Sequence, residues 1–100
     1  MDYRVERTGN KSILNMEGQI TATDRKNLDV ILGEVFVSGV DEVIIDMSEL
    51  TYIDSIGLGL LIVIRDQAET TNSKVCIMGM KGKVKEILEM ASIDRLFDIK

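Results

Sequence analysis

Two short apolar runs, Val43-Ile44-Ile45 and Val75-Cys76-Ile77-Met78, decide the fold class of this chain. Neither alternates with polar residues, so each reads as a strand covered on both faces. The intervening sequence supplies helices to cover them. Leu28, Ile31, Leu32 and Val35 fall at i, i+3, i+4 and i+7, one apolar face of a helix expected to start at Thr23 as N-cap and to end near Ser38-Gly39. A second helix is expected from Asp54 or Ser55 to about Thr70, with Asn72 ending it, and Val84, Ile87, Leu88 and Ala91 mark a third. Ahead of these, Tyr3 and Val5 alternate with Arg4 and Glu6, Thr8-Gly9-Asn10-Lys11 carries turn chemistry, and Ser12 to Ile20 is extended again, the pattern of a β-hairpin. Phe97-Asp98-Ile99 reads as a last short strand. Strands and helices alternate from residue 12 onward, which implies right-handed crossovers. The expected fold is a small α/β sandwich, a single domain over residues 1–100. Its sheet is mixed but mostly parallel, with the hairpin at its edge and helices packed against it.

Composition narrows the chemistry. A chain of 100 residues buries only roughly two-thirds of its unfolded surface, which leaves little room for a core and a cofactor together, and none is expected. With no His and one Cys, an internal disulfide, a Cys/His zinc site and a His-based catalytic triad are excluded. Twelve basic against 17 acidic side chains give a net charge of −5, the wrong sign for a nucleic-acid surface. Met1-Asp2-Tyr3-Arg4 does not open like a signal peptide, and the longest apolar run, Ile56 to Ile64, has nine residues against the ~20 that cross a bilayer. No membrane insertion and a cytoplasmic location are therefore expected.

The informative segment runs from Asp46 to Leu61. Asp54-Ser55 falls where a helix must begin, and side-chain oxygens there accept hydrogen bonds from the unpaired N–H groups of the first turn. On local physics alone Ser55 is a capping hydroxyl. Gly57 and Gly59 do not fit a plain cap, because each costs a helix roughly 1 kcal/mol relative to Ala. Leu58, Leu60, Leu61, Ile62, Val63 and Ile64 also make this helix apolar on every side. Something must approach its backbone closely, either the sheet or a partner docking at the helix start. The glycines belong to no nucleotide fingerprint, since Ile62 stands where the third Gly of G-x-G-x-x-G would be and no Gly-Lys-Ser/Thr follows.

Asp46-x-Ser48-x-Leu50, three residues, then Asp54-Ser55-x-Gly57-Leu58-Gly59 resembles the signature of the STAS domain, and in particular of single-domain bacterial anti-sigma factor antagonists. The likeness extends to the order of elements over nearly the whole chain, including the Gly18 turn and the Leu96-Phe97-Asp98-Ile99 ending. It implies a non-enzymatic, phosphorylation-controlled protein-binding switch, monomeric when free, that is itself the substrate. The serine after the Asp, here Ser55, would be phosphorylated by an anti-sigma factor that is also a GHKL-type serine kinase, and a PP2C-type phosphatase would restore it. The partner surface implied by the resemblance comprises Asp54, Ser55, Ile56, Gly57, Leu58 and Gly59, together with Thr21. Ile56 stands where many such antagonists carry Ser, Thr or Ala, and Thr21 where an acidic residue is common. The rival reading keeps the fold as a scaffold or accessory subunit of a signalling or transporter-associated complex, with Ser55 as a cap only.

The remaining candidates read as structural. Cys76 is a small buried hydrophobe, Asp46 caps the turn at Ser48-Glu49, Lys81, Lys83 and Lys85 form a solvated helix end, and Met78, Met80 and Met90 fill gaps in the core.

Overall fold

The computed structural model describes all 100 residues. β1 (Asp2–Thr8) and β2 (Lys11–Gln19) form the antiparallel hairpin, and β3 (Glu42–Tyr52), β4 (Lys74–Met78) and β5 (Asp98–Ile99) follow in spatial as in chain order, each parallel to its predecessor. Two helices, α1 (Ala22–Lys26) and α2 (Leu28–Val35), connect β2 to β3. The next crossover holds α3 (Ser55–Thr70), and the last holds α4 (Gly82–Met90) with one 3₁₀ turn at Ile93–Arg95.

The sheet is covered on one face. Leu14, Ile45 and Ile77 share a register row and join Val43 and Met47 in one core cluster with Leu28, Ile31 and Val35 of α2, Leu60, Leu61 and Ile64 of α3, and Val84 and Leu88 of α4. The alternate row, Ile13, Ile44 and Cys76, points the other way, and no helix lies over it. The central strands are buried on both faces, as expected, but helices cover only one of them. Ile44 and Cys76 are buried on the face without helices, where Glu42 pairs with both Lys11 (3.6 Å) and Lys100 (3.8 Å). Burial is also what pushes the Cys76 thiol pKa up, so the thiol stays protonated and inert.

Three elements differ from expectation. Where one helix from Thr23 was expected, Thr21 starts α1, the chain bends at Asn27 (φ −93, ψ 10), and α2 ends at Val35 rather than Ser38-Gly39. Ala22–Lys26 has no apolar face to lay on the sheet, whereas Leu28, Ile31 and Val35 do, so the axis turns between them. The fully buried Ser12 hydroxyl donates to the Val35 carbonyl at 2.7 Å, at the last residue of α2. The strand expected to end at Asp46 continues to Tyr52 through a bulge, in which Asn15 pairs with Asp46 but Glu17 with Glu49. Asp46 does cap locally, its Oδ1 accepting the Ser48 N–H at 2.9 Å. Gly79, at φ +76, fits against this bulge where a side chain would meet Asp46 and Ser48. The extra residue lets Met47 and Leu50 both face inward, which keeps the polar stretch in the sheet. The methionines are the third difference: Met90 is 86% exposed, Met78 is exposed on the uncovered face and Met80 is half-buried, while Met16 and Met47 fill the core instead. Ala91, expected on the inner face of its helix, is an exposed C-cap.

At the hairpin side, Asp24 ties α1 to the edge of the sheet. Its Oδ2 accepts from the Met1 amine at 2.8 Å and from the Thr21 N–H at 2.6 Å and hydroxyl at 3.1 Å. Burial pushes this carboxyl up, but those hydrogen bonds and the ammonium charge outweigh it and hold its pKa below the ordinary 3.8. A depressed native pKa contributes stability above the unfolded value, and that contribution is lost as pH falls through the native one. Melting temperature measured from pH 7 downward should therefore drop below about pH 4, and Asp24→Asn should lower it at pH 7 while flattening that acid limb.

Candidate functional site

The site begins where β3 runs out. Ile53 is fully buried and anchors the chain, Asp54 is extended (φ −130, ψ −164), and α3 starts at Ser55. Asp54 is the N-cap: its Oδ1 accepts the N–H groups of Ile56 at 2.9 Å and Gly57 at 3.3 Å. Capping is thus done by the residue before Ser55, contrary to the local reading of the sequence. Ser55 occupies the first helical position with its side chain exposed to solvent. The far end of α3 behaves as expected of Asn72, which adopts φ 55 while Ser73 and Asn72 donate to Ala68 (2.8 Å) and Glu69 (3.3 Å) in a Schellman closure.

α3 is less uniformly apolar in its surroundings than in its sequence. Leu60, Leu61, Ile64 and Ala68 are buried, Leu58 and Val63 are half-buried, and Ile62 is 40% exposed. Ser55, Gly59 and Ile62 stand at i, i+4 and i+7 and form one outward stripe. Ile62 lies outside the set of residues that the sequence singles out as partner-facing. Its spacing from Ser55 was the available signal, hidden by apolar neighbours on both sides.

The two glycines have different surroundings. A methyl at Gly57 would lie 2.5 Å from Ile53 Cγ1 and 3.1 Å from Ile20 Cδ1, so Gly57 is buried and lets α3 close on the sheet. A methyl at Gly59 would meet only the Arg25 guanidinium, 2.8 Å from Nη1. These contacts also show that the turn from β2 into α1 lies against the first turns of α3. Thr21, exposed between Ile20 and Arg25, is thereby brought to the same end of the molecule as Asp54 and Ser55. Ile56 is half-buried beside them.

The arrangement presents an exposed hydroxyl rather than an activated one. The neighbouring Asp54 carboxylate is occupied by backbone amides, and no group of three or more carboxylate or thiol side chains is close enough to hold a metal ion. The surface clefts lie elsewhere, one of them lined by Asn10, Asp41, Glu42, Asn72 and Lys74 where the parallel strands begin, opposite the end that carries Ser55. No helix is long and apolar enough to cross a membrane.

Gly57→Ala should lower the melting temperature, since the added carbon overpacks against Ile53 at a typical cost of ~1–3 kcal/mol. Gly59→Ala should hold or raise it, because the guanidinium can swing aside and a helix gains up to ~1 kcal/mol from the exchange. Thermal unfolding of the two variants checks the pair, and an early-melting Gly59→Ala contradicts the assignment of its outward face.

A family model described as the STAS domain matches residues 2–100. A STAS-domain-containing protein of Pseudomonas aeruginosa is 32% identical over 56 residues, which is 56% of this chain and 55% of that protein, so the match spans about half the length of that relative. BtrV of Bordetella bronchiseptica, named as an anti-sigma factor antagonist, is 20% identical over 99 residues, covering 99% of this chain and 85% of its own. Among solved structures, the anti-sigma factor antagonist SpoIIAA in its unphosphorylated form has a TM-score of 0.81 at 15% identity, over 99% of this chain and 88% of that one. Bacillus SpoIIAA in the phosphorylated form has a TM-score of 0.67 at 12% identity, over 99% and 91%. The likeness to these structures covers nearly the whole chain and is one of fold, and with the family match over residues 2–100 it follows that this chain belongs to the STAS domain family.

Proposed function

We propose that this STAS domain is an anti-sigma factor antagonist that works as a phosphorylation-controlled binding switch. With Ser55 unmodified it binds an anti-sigma factor that is also a GHKL-type serine kinase and so frees the sigma factor. Phosphoryl transfer from ATP to Ser55 Oγ weakens that complex, and a PP2C-type phosphatase restores it. The observation that carries this reading is the position of Ser55, exposed at the first residue of α3 while Asp54 makes the cap. A serine needed as a cap would be withdrawn from a kinase, and modifying it would loosen the helix. The named relatives lend support: BtrV is called an anti-sigma factor antagonist, and SpoIIAA exists in both phosphorylated and unphosphorylated forms.

The physical consequence of modification falls on binding rather than on folding. Phosphate brings about −1.5 to −2 charges to a helix N-terminus, where the macrodipole favours an anion, so the domain keeps its structure. On the outer surface the same charge stands beside Asp54 and next to the Gly59–Ile62 stripe. An interface formed over a hydroxyl and an exposed isoleucine then meets repulsion and desolvation costs of ~1–3 kcal/mol, which is one to two orders of magnitude in affinity.

The cognate kinase with ATP should label the wild type and leave Ser55→Ala unlabelled, and label retained on Ser48 or Thr51 would sink the assignment. Ser55→Asp and Ser55→Glu should keep the circular dichroism spectrum and melting temperature close to wild type while binding the kinase roughly tenfold or more weakly by calorimetric titration. Wild-type affinity in both mimics, with no label on Ser55, would instead favour the fixed-scaffold reading.

A further inference from the structure

The Arg25 guanidinium lies over Gly59, one helical turn beyond Ser55, with Nη1 2.8 Å from where a Gly59 methyl would be. We propose that Arg25 is the intramolecular partner of phosphorylated Ser55, turning from its seat on Gly59 to hold the phosphate in a charge-assisted pair; this rests on Ser55 being the phosphosite. Residues four apart on a helix have Cβ positions about 5–6 Å from each other. Both Cβ bonds tilt toward the helix N-terminus, so a group seated at the Gly59 Cβ position lies on the side toward Ser55. The phosphate oxygens project beyond the Ser55 Cβ through the ester oxygen and phosphorus and close most of the remaining gap.

Arg25 is available for this. The ion pairs of the chain join the Met1 amine to Asp24, Arg4 to Glu6, Glu42 to Lys11 and Lys100, Arg65 to Glu69 and Lys83 to Glu86, and none includes Arg25. Of the nearby carboxylates, Asp24 Oδ2 accepts from the Met1 amine and Thr21 and Asp54 Oδ1 from the α3 amides, and neither is paired with Arg25. A guanidinium suits a phosphate dianion because its planar N–H fork can bond two oxygens at once. Gly59 makes the geometry possible, since any side chain there would displace the guanidinium from α3. Phosphorylation would then do two things to the docking stripe, adding an anion at Ser55 and drawing a cation off Gly59.

The test uses the full chain with phosphoserine installed at position 55 by encoded incorporation, so that it does not depend on any kinase. The second ionisation of the phosphate is followed by ³¹P NMR titration at low salt. Phosphoserine ordinarily titrates near pH ~6, and a cation within pairing distance should lower this by about one pH unit. Arg25→Gln should return the midpoint upward by most of that difference, Arg25→Lys should fall between, and Arg65→Gln, ten residues and roughly 15 Å along α3, should leave it unchanged. Asp54, Glu49, Asp24 and Lys26 are common to all four proteins and cancel in the comparison. Coincident titrations of wild type and Arg25→Gln overturn the pairing, and so do equal displacements in Arg25→Gln and Arg65→Gln, which would mark a diffuse field. Circular dichroism confirms that each variant is folded. Failure of kinase labelling at Ser55 would remove the switch reading and leave this titration standing, whereas coincident titrations would remove Arg25 alone.

Discussion

The structure depends on strands that enter the sheet in the order in which they leave the ribosome. With β1 to β5 adjacent in sequence and in space, crossovers of one hand all return over the same face. A single apolar cluster therefore forms between sheet and helices, and it must hold the fold together without a second layer of helices. α3 lies in the middle of this arrangement, following the central strand, and contributes Leu60, Leu61 and Ile64 to that cluster. Its position is fixed from both ends, by Ile53 and the Asp54 cap at the start and by the Schellman closure at Asn72. The residue just inside the cap is carried to the rim where the parallel strands end, the edge at which open α/β sheets bind their ligands.

At that rim two requirements meet in adjacent residues. The helix needs an acceptor for its first N–H groups, and the switch proposed above needs a hydroxyl that nothing in the native state uses. Asp54 meets the first and leaves Ser55 to the second. Gly57 and Gly59 divide in the same way, one closing the helix on Ile53 and Ile20 and the other thinning the outer surface beneath Arg25. Reading each pair as a unit, as sequence alone invites, merges a structural residue with a surface residue.

How much was legible follows from the kind of signal each feature leaves. Strand and helix identity, the hairpin and the α3 boundaries came from periodicity and cap chemistry, which are local. Which face lacks helices was not legible, because Val43-Ile44-Ile45 is equally apolar whether or not a helix lies over Ile44. The break at Asn27 was missed because Thr23 is as good a cap by type as Thr21, and what separates them is the reach of Asp24 back to the Thr21 N–H. The bulge in β3 was missed because Asp46-Met47-Ser48-Glu49 has the composition of a loop, and only Met47 and Leu50 facing the core keep it in the sheet. In the site, Asp54-Ser55 was legible as a motif, but which of the two capped the helix was not. Arg25 left no signal at all, since its seat on Gly59 is a contact across elements.

On the switch reading proposed above, the division of labour at the α3 start explains how a domain this small could be switched without being unfolded. Marginal stability for a domain of this kind is ~5–15 kcal/mol, and a change of ~2.7 kcal/mol already alters affinity a hundredfold. If the hydroxyl were the cap, much of that change would be taken from the helix end and would compete with folding. With Asp54 holding the backbone, the energy of a charge added at Ser55 would act between surfaces, where a like-charged neighbour and an exposed Ile62 would make it count against a docked partner. α3 itself, 16 residues or roughly 24 Å long, stays a rigid platform packed on the single core. On that proposal the signal would be a change in what the platform displays, with no conformational route through the domain required.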